Sequence, residues 1–418
     1  MMEIHILGSG REVGRSAILL KTEKEGCLLD YGVEVQTMEP PLDPQIPKLK
    51  NIFLSHPHLD HSGNLPLLYK KGYKGGVWAN PAAFNLAGLL LRDSLKVQQR
   101  KGFTPFFQLE DIENFERHRR FLGYRQPIKT GDIRAELFDA GNLPGSSSIL
   151  LEVNKKRILY TGDINFIKTE LTGEADTDYE DIDVLITECT YSYKDHPDRQ
   201  ILANGLREHV RNVIDSGGRV LLPCFAIGRT QEMLLNLHKL KYPIYIDGMG
   251  RTATEIILKH REMILNHSEL KKAYEKARKI TRANQRKKVI KEPCIIIATA
   301  GMLQAGSAVW YAKKLANDQR NSMIFTGYQV EGTPGRTLMD TGRLVFPDDN
   351  FDVKPKMDVR YLDFSDHADR QHLLKFINNL NPKKIILVHG PQADIFRDEL
   401  KAKGFDTVAP ENGEKVTV

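Results

Sequence analysis

Residues 55–61 read Ser-His-Pro-His-Leu-Asp-His and close the apolar, strand-like run KNIFLS. Four metal-binding side chains, His56, His58, Asp60 and His61, fall within six positions at the mouth of a strand. On a loop leaving a sheet, His56 and His58 can converge on one ion while Asp60 and His61 turn towards a second. Neutral imidazoles with a carboxylate suit Zn²⁺, and less selectively other divalent ions. A polar surface loop is the plain alternative, but three histidines and an aspartate rarely cluster this way without a ligand.

Six positions cannot enclose two ions, so further ligands must come from polar residues that end other apolar strands. Asp163, in RILYTGD, closes a strand with a small-residue turn, a place where a carboxylate can bridge two metals. Asp30, in CLLDYG, and Glu188, in DVLITECTY, stand at the same kind of position. His389 ends KKIILVHGP, and His367 lies where a strand runs into a helix. Singly, each is more often a cap or turn residue than a ligand. Jointly they supply what a dinuclear hydrolase requires.

The chain has 418 residues, too many for one ordinary domain. Strand-like runs such as EIHIL, SSILLEV, RVLLPCF and PCIIIAT alternate with amphipathic helical stretches at Asn80–Arg100, Arg199–Ser216, Thr230–Leu240 and Asp369–Leu380. The pattern predicts an α/β chain with sheets covered by helices. Up to about Ile164 it is dense in short strands and turns, whereas Ser192–Tyr328 alternates strand and helix like a doubly wound sheet. Ser94–Arg120 reads as a polar helical arm without a core stripe. Lys271–Lys291 is almost uniformly basic, which fits either a solvated face or a phosphate-tracking surface.

No apolar run approaches the length of a membrane span, which argues against a transmembrane helix. The first residues begin as a strand without a signal-peptide pattern, so a cytoplasmic protein is expected. Cys27, Cys189, Cys224 and Cys294 are scattered, mostly in apolar runs, and are expected to be buried reduced thiols. A net charge of +6 is compatible with a nucleic-acid partner without pointing to one.

The motif H-x-H-x-D-H at His56–His61 resembles the signature of the metallo-β-lactamase fold. Later blocks narrow the resemblance to the β-CASP nucleases, which include RNase J and the endonuclease of the cleavage and polyadenylation specificity factor. These blocks are GSGREVGRS (Gly8–Ser16), T-G-D at Asp163, E-C-T-Y at Glu188, F-A-x-G-R-x-Q-E (Phe225–Glu232), G-Y-Q-x-x-G-T-x-G-R (Gly327–Arg336), the His367 motif and V-H-G at His389. They span nearly the whole chain and look closest to archaeal relatives of the polyadenylation factor, here without the N-terminal KH extension that some carry.

The resemblance implies an αββα metallo-β-lactamase sandwich, residues 1–190 and 344–418, with a doubly wound α/β β-CASP domain inserted at 191–343. It implies two zinc ions. His56 and His58 would hold the first, Asp60, His61 and His389 the second, with Asp163 bridging both. Asp30 would orient the histidine loop, and Glu188 would hold His367 as the acid that protonates the leaving ribose oxygen. The expected reaction is hydrolysis of single-stranded RNA to 5′-phosphate and 3′-hydroxyl ends, with the insertion clamping the RNA. A homodimer, formed through the C-terminal KVTV, is expected on the same ground.

One position departs from the family pattern. Asn142 stands where the family has a histidine, the third protein ligand of the first metal, and an amide oxygen is a poor substitute for imidazole at zinc. Either this branch works with an altered first site, or the position carries an introduced change that weakens the enzyme. Elsewhere, Arg229 and Arg336 in Gly-Arg turns and Ser307 after a glycine-rich turn are candidate phosphate contacts, against salt bridging and N-capping as plain alternatives. The Gly8–Gly14 turn has the wrong spacing for a dinucleotide site and is expected to be a hairpin near the active site. Two other functions compete with the ribonuclease. A small-molecule metallohydrolase would need no inserted clamp, and a weakened RNA-binding protein has only Asn142 in its favour.

Overall fold

A computed structural model describes residues 2–100, 102 and 104–418 of the chain. The chain divides into two compact units, one of Met1–Lys168, Gly173–Asp195 and Asp366–Val418, the other of Thr169–Thr172 and His196–Ser365. The second unit runs past Arg343 because the strand Asp358–Tyr361 pairs in register with Ser322–Phe325 and so joins its sheet.

The first unit holds two seven-stranded sheets. In the first sheet, Gly26–Leu29, Leu49–Phe53, Val77–Ala79 and Arg119–Phe121 are parallel neighbours. The N-terminal strands Glu3–Gly8 and Ala17–Lys21 extend it antiparallel. In the second sheet, Lys156–Tyr160, Val184–Glu188 and Lys384–Val388 are parallel neighbours. Strands expose alternate residues on opposite faces. Ile4, Ile18, Leu29 and Phe53 of one sheet therefore share a core with Ile149, Ile158, Ile186 and Val388 of the other. The outer face of the first sheet packs against the helices Leu65–Lys70, Pro81–Arg100 and Leu109–Arg117 through Leu68, Phe84, Leu91 and Phe115. The outer face of the second packs against Arg370–Leu380 and Ala393–Ala402 through Phe376, Ile377, Phe396 and Leu400. The layers are αββα.

The second unit carries a six-stranded sheet in which every paired neighbour is parallel, in the order Arg278–Ile280, Ile244–Asp247, Ile295–Ala298, Val220–Pro223, Ser322–Phe325, Asp358–Tyr361. One face, with Leu221, Ile296 and Met323, packs on the helix Ser307–Leu315. The helices Arg199–Asp215 and Arg229–Leu237 also lie on this sheet. This is the doubly wound α/β insertion.

Three expectations change in detail. Ser94–Arg120 is not a polar arm, and its positions 101 and 103 lie outside the described residues. Pro81–Arg100 ends before Gly102, and a separate helix, Leu109–Arg117, buries Ile112 and Phe115. Its two core residues are three apart, a stripe too short to stand out in a charged segment. The basic run Lys271–Lys291 breaks into His267–Lys276, Arg278–Ile280 and Arg286–Val289, and Arg286 pairs with the buried Asp247. The terminal KVTV forms the edge strand Lys415–Thr417 against Glu3–Gly8 of its own chain. All four cysteines are buried thiols. Among the described residues no helix is long and apolar enough to cross a membrane.

Candidate metal centre

The site lies wholly in the first unit, where strands from both sheets end. Parallel strands bring the same ends to one edge. Lys156–Tyr160 is followed after a Thr-Gly turn by Asp163, Val184–Glu188 ends in Glu188, and Lys384–Val388 is followed directly by His389. Gly26–Leu29 and Leu49–Phe53 likewise deliver Asp30 and His56.

The histidine loop is held by its backbone. Pro57 disfavours a helical conformation at His56, so the chain stays extended until the single turn Leu59–Ser62. The carbonyls of that turn are then bound from one neighbouring segment and the first hairpin. Val33 N donates to Leu59 O at 3.0 Å, Ser16 N to Asp60 O at 2.7 Å and Tyr31 N to His61 O at 2.8 Å. Gly32 is required for this approach, because a Cβ there would overlap the Asp60 carbonyl. The Gly8–Ser16 segment is thus the expected hairpin turn beside the site, and Ser9 O also accepts from His389 N at 2.8 Å.

Three groups of side chains converge. Asp60, His61, Asp163 and His389 form one, and His56, His58 and Asp163 a second. Asp163, Glu188 and His367 form the third. Asp163 belongs to all three. Its carboxylate lies 3.2 Å from His56 Nε2, 3.3 Å from His61 Nε2 and 3.5 Å from His389 Nδ1. Yet His56 Nε2 and Asp163 Oδ1 are buried without a hydrogen bond. Donor atoms that crowd together without pointing at one another are arranged about shared points, as ligands of an ion are. The residues fit divalent metal: imidazoles and carboxylates, buried, with unspent lone pairs.

Asp30 is the hub behind them. Fully buried, it accepts from Ser55 N at 2.7 Å, Ser55 Oγ at 2.7 Å, Tyr160 OH at 2.8 Å and His61 Nδ1 at 2.7 Å. The last bond puts the His61 proton on Nδ1 and turns Nε2 to the cluster. Thr190 positions His389: its hydroxyl donates to His389 O at 2.9 Å and lies 3.1 Å from His389 Nδ1, while His389 Nε2 lies 3.3 Å from Asp60. Asp30 and His389 both have positive φ, 59° and 49°, a strain of about 1–3 kcal/mol each that the surrounding bonds sustain. Ser55, Tyr160, Thr190 and Gly32 are contributors that sequence reading missed. The family-like block E-C-T-Y contains Thr190, and Ser55 directly precedes H-x-H-x-D-H, which was the available signal.

His367 Nδ1 lies 3.1 and 3.0 Å from the two oxygens of Glu188, which also accepts from Ile164 N at 2.8 Å. Its Nε2 is turned to the cluster, 3.9 Å from Asp163. Burial opposes a charge on His367, but Glu188 and Asp163 outweigh it and raise its pKa to about 10. Burial likewise opposes a charge on His61, and Asp163 and Asp30 carry its pKa well above the usual histidine value. Burial and His56 push His58 down to about 4. Asp60, whose burial favours the neutral acid, is held well below the ordinary range by His389 and His61. Asp60 and His367 keep about a fifth of their side-chain surface exposed and His58 is partly buried, while His56, His61, Asp163 and His389 are buried, so the open face of the site runs past these three.

Asn142 is buried, and its Nδ2 donates to Asp366 O at 2.8 Å. In the second unit, Arg229 is buried at the start of its helix. Ser307 is buried too, its hydroxyl at hydrogen-bond distance from the carbonyls of Asp247 and Thr299. Arg336 pairs with Asp340 one turn on, in the partly exposed first turn of Pro334–Thr341.

An αββα sandwich with a shared carboxylate between histidine groups at the strand ends defines a metallohydrolase of the metallo-β-lactamase type. Residues 10–195 match the Metallo-beta-lactamase superfamily, 230–338 the Beta-Casp domain and 352–410 the Zn-dependent metallo-hydrolase RNA specificity domain. The chain is 37% identical over its full length, and the full length of the relative, to the probable RNase MJ4 of Methanocaldococcus jannaschii. It is 35% identical to RNase aCSPSF2 of Saccharolobus solfataricus, over 99% of this chain and 85% of that one. It is 33% identical to the transcription termination factor FttA of Thermococcus kodakarensis, over 97% and 70%. A crystal structure of a protein of unknown function from Enterococcus faecalis shares the fold over both full chains, with a TM-score of 0.65 at 15% identity. The chain belongs to the β-CASP branch of the metallo-β-lactamase superfamily, a family of metal-dependent nucleases.

Proposed function

We propose that the protein is a zinc-dependent ribonuclease that hydrolyses single-stranded RNA and leaves 5′-phosphate and 3′-hydroxyl ends. The observation that carries this reading is Asp163, shared by two ligand groups and by the Glu188–His367 pair. His56 and His58 would hold one ion, Asp60, His61 and His389 the other, and Asp163 both. Bound there, two divalent ions supply an acidified water and offset the charge of the phosphodiester.

The chain's own groups set the geometry. Asp30 holds His61 in the ligating tautomer, Thr190 holds His389, and the partly exposed Asp60 can orient the attacking water. Water attack at phosphorus, in line with the departing 3′ oxygen, breaks the P–O3′ bond. That oxygen takes a proton from His367, steadied through Nδ1 by Glu188. A proton donated there makes that oxygen the 3′-hydroxyl and leaves the phosphate on the 5′ oxygen of the downstream fragment.

Three relatives are named as nucleases or as a termination factor, which favours RNA over a small-molecule substrate. Of the proposed phosphate contacts, Arg336 is the accessible one, whereas the burial of Ser307 and Arg229 favours structural roles. A homodimer would have the edge strand Lys415–Thr417 available for pairing, and solution mass decides it.

The test is cleavage of single-stranded RNA labelled separately at each end, with zinc and with a chelator. The expected result is metal-dependent cleavage to 5′-phosphate and 3′-hydroxyl ends. The fragment pattern separates internal cutting from progress along the 5′ end. A 2′,3′-cyclic phosphate product would sink the mechanism.

A further inference from the structure

We propose that Asn142 both completes the His56–His58–Asp163 metal position as a neutral donor, making it the weaker of the two, and ties that position to the loop of His367. The proposal rests on the dinuclear reading above.

Asn142 is 3% exposed. Its Nδ2 donates to Asp366 O at 2.8 Å, while its Oδ1 is buried and makes no hydrogen bond. Turning the amide over would set Oδ1 against the Asp366 carbonyl, two acceptors in contact, so the bond to Asp366 fixes which way the oxygen faces. A buried amide oxygen left without a donor or cation is costly. The turn that carries it is fastened to the metal loop, since Ser147 N donates at 2.8 Å to the carbonyl of Ser55, the neighbour of His56.

The two ligand groups are unequal without it. One has two imidazoles and two carboxylates, Asp60 and Asp163; the other has two imidazoles and Asp163 alone. Adding Asn142 Oδ1 gives the poorer group a fourth donor and no charge. An amide oxygen is also a harder donor than imidazole, so this position discriminates less strongly for zinc over Mn²⁺ than one built with a third histidine. The nitrogen end of the same amide holds Asp366, and the next residue is His367. One side chain therefore reaches both the weaker metal position and the segment that presents the proton donor.

The test is the release of zinc from the full-length, zinc-loaded protein against graded chelator, followed as ions per chain by elemental analysis and repeated with Co²⁺ by its visible spectrum. The expected curve has two steps at least about tenfold apart, the scale on which even an indirect partner of a ligand changes metal affinity. Asn142→His should bring the steps together. Asn142→Asp should also retain the weaker ion, but a carboxylate cannot donate to Asp366 O, so at equal metal content it should cleave RNA more slowly than Asn142→His. Release of both ions from the unaltered chain in one step would overturn the proposal, as would an Asn142→Ala curve identical to the parent's. A chain that holds no ion at all would instead overturn the dinuclear reading itself.

Discussion

Two aspartates sit at the ends of buried strands, Asp163 in the first unit and Asp247 in the second, with 2% and 3% of their surface exposed. Asp247 is closed by its own unit. Arg286 donates to it through Nε at 2.7 Å and Nη2 at 3.2 Å, and Tyr311 OH at 3.0 Å. Among the described residues Asp163 has no arginine or lysine as an ion-pair partner, only histidines, and one of its oxygens makes no hydrogen bond. A third carboxylate, Asp139, has neither arrangement. Burial raises its pKa to about 6, Asp176 adds to the rise, and the Gly141 N–H opposes it. A buried carboxylate is compensated by a cation, by a proton or by a metal, and only the last leaves the chain's own donors unspent.

Asp163→Asn should break the comparison most sharply. Cleavage should fall by on the order of 10³-fold or more, with metal content reduced and the circular dichroism spectrum unchanged. His367→Ala should lower cleavage by about 10²–10⁴-fold while the ions remain, because the role proposed for that residue is at the leaving oxygen and not at the metal. Equal loss of metal in both variants would remove the distinction. Asp30→Asn should weaken metal affinity by about 10–100-fold, read by chelator competition, through loss of the His61 tautomer lock.

Asp247→Asn should leave metal content alone and cost about 2–4 kcal/mol in chemical denaturation, the penalty of uncovering one side of a buried pair. Asp139→Asn should have the smallest effect, and one that depends on pH. The folded-state pKa of Asp139 is raised, so the folded protein binds the extra proton between about pH 4 and 6. The ionised acid therefore costs stability above pH 6 and nothing below about pH 4. Asparagine should stabilise by about 1–2 kcal/mol at pH 7, with the gain gone at pH 4.

The sequence made the contiguous part of the site plain and the dispersed part plain only by resemblance. His56, His58, Asp60 and His61 share one loop, so their chemistry is visible in six letters. Asp163, Glu188 and His389 end apolar runs, but so does Asp247, and nothing local distinguishes the carboxylate that three side-chain groups share from the one that Arg286 covers 39 positions later. Tyr160 reaches Asp30 across 130 positions, a contact that only the sandwich creates. The same limit governs the fold. Runs such as SSILLEV announce core strands, whereas Arg119–Phe121 and Asp358–Tyr361 are short, half-exposed edge strands with no apolar run to mark them.

The central claim is that Asp163 lies between two metal ions, and anomalous diffraction at the zinc edge from crystals grown with excess zinc tests it most directly. The account predicts two peaks about 3.5–4 Å apart on either side of the Asp163 carboxylate, one beside His56 and His58 and one beside His61 and His389. Zinc bound elsewhere, with the Asp163 carboxylate touching none of it, would contradict the account.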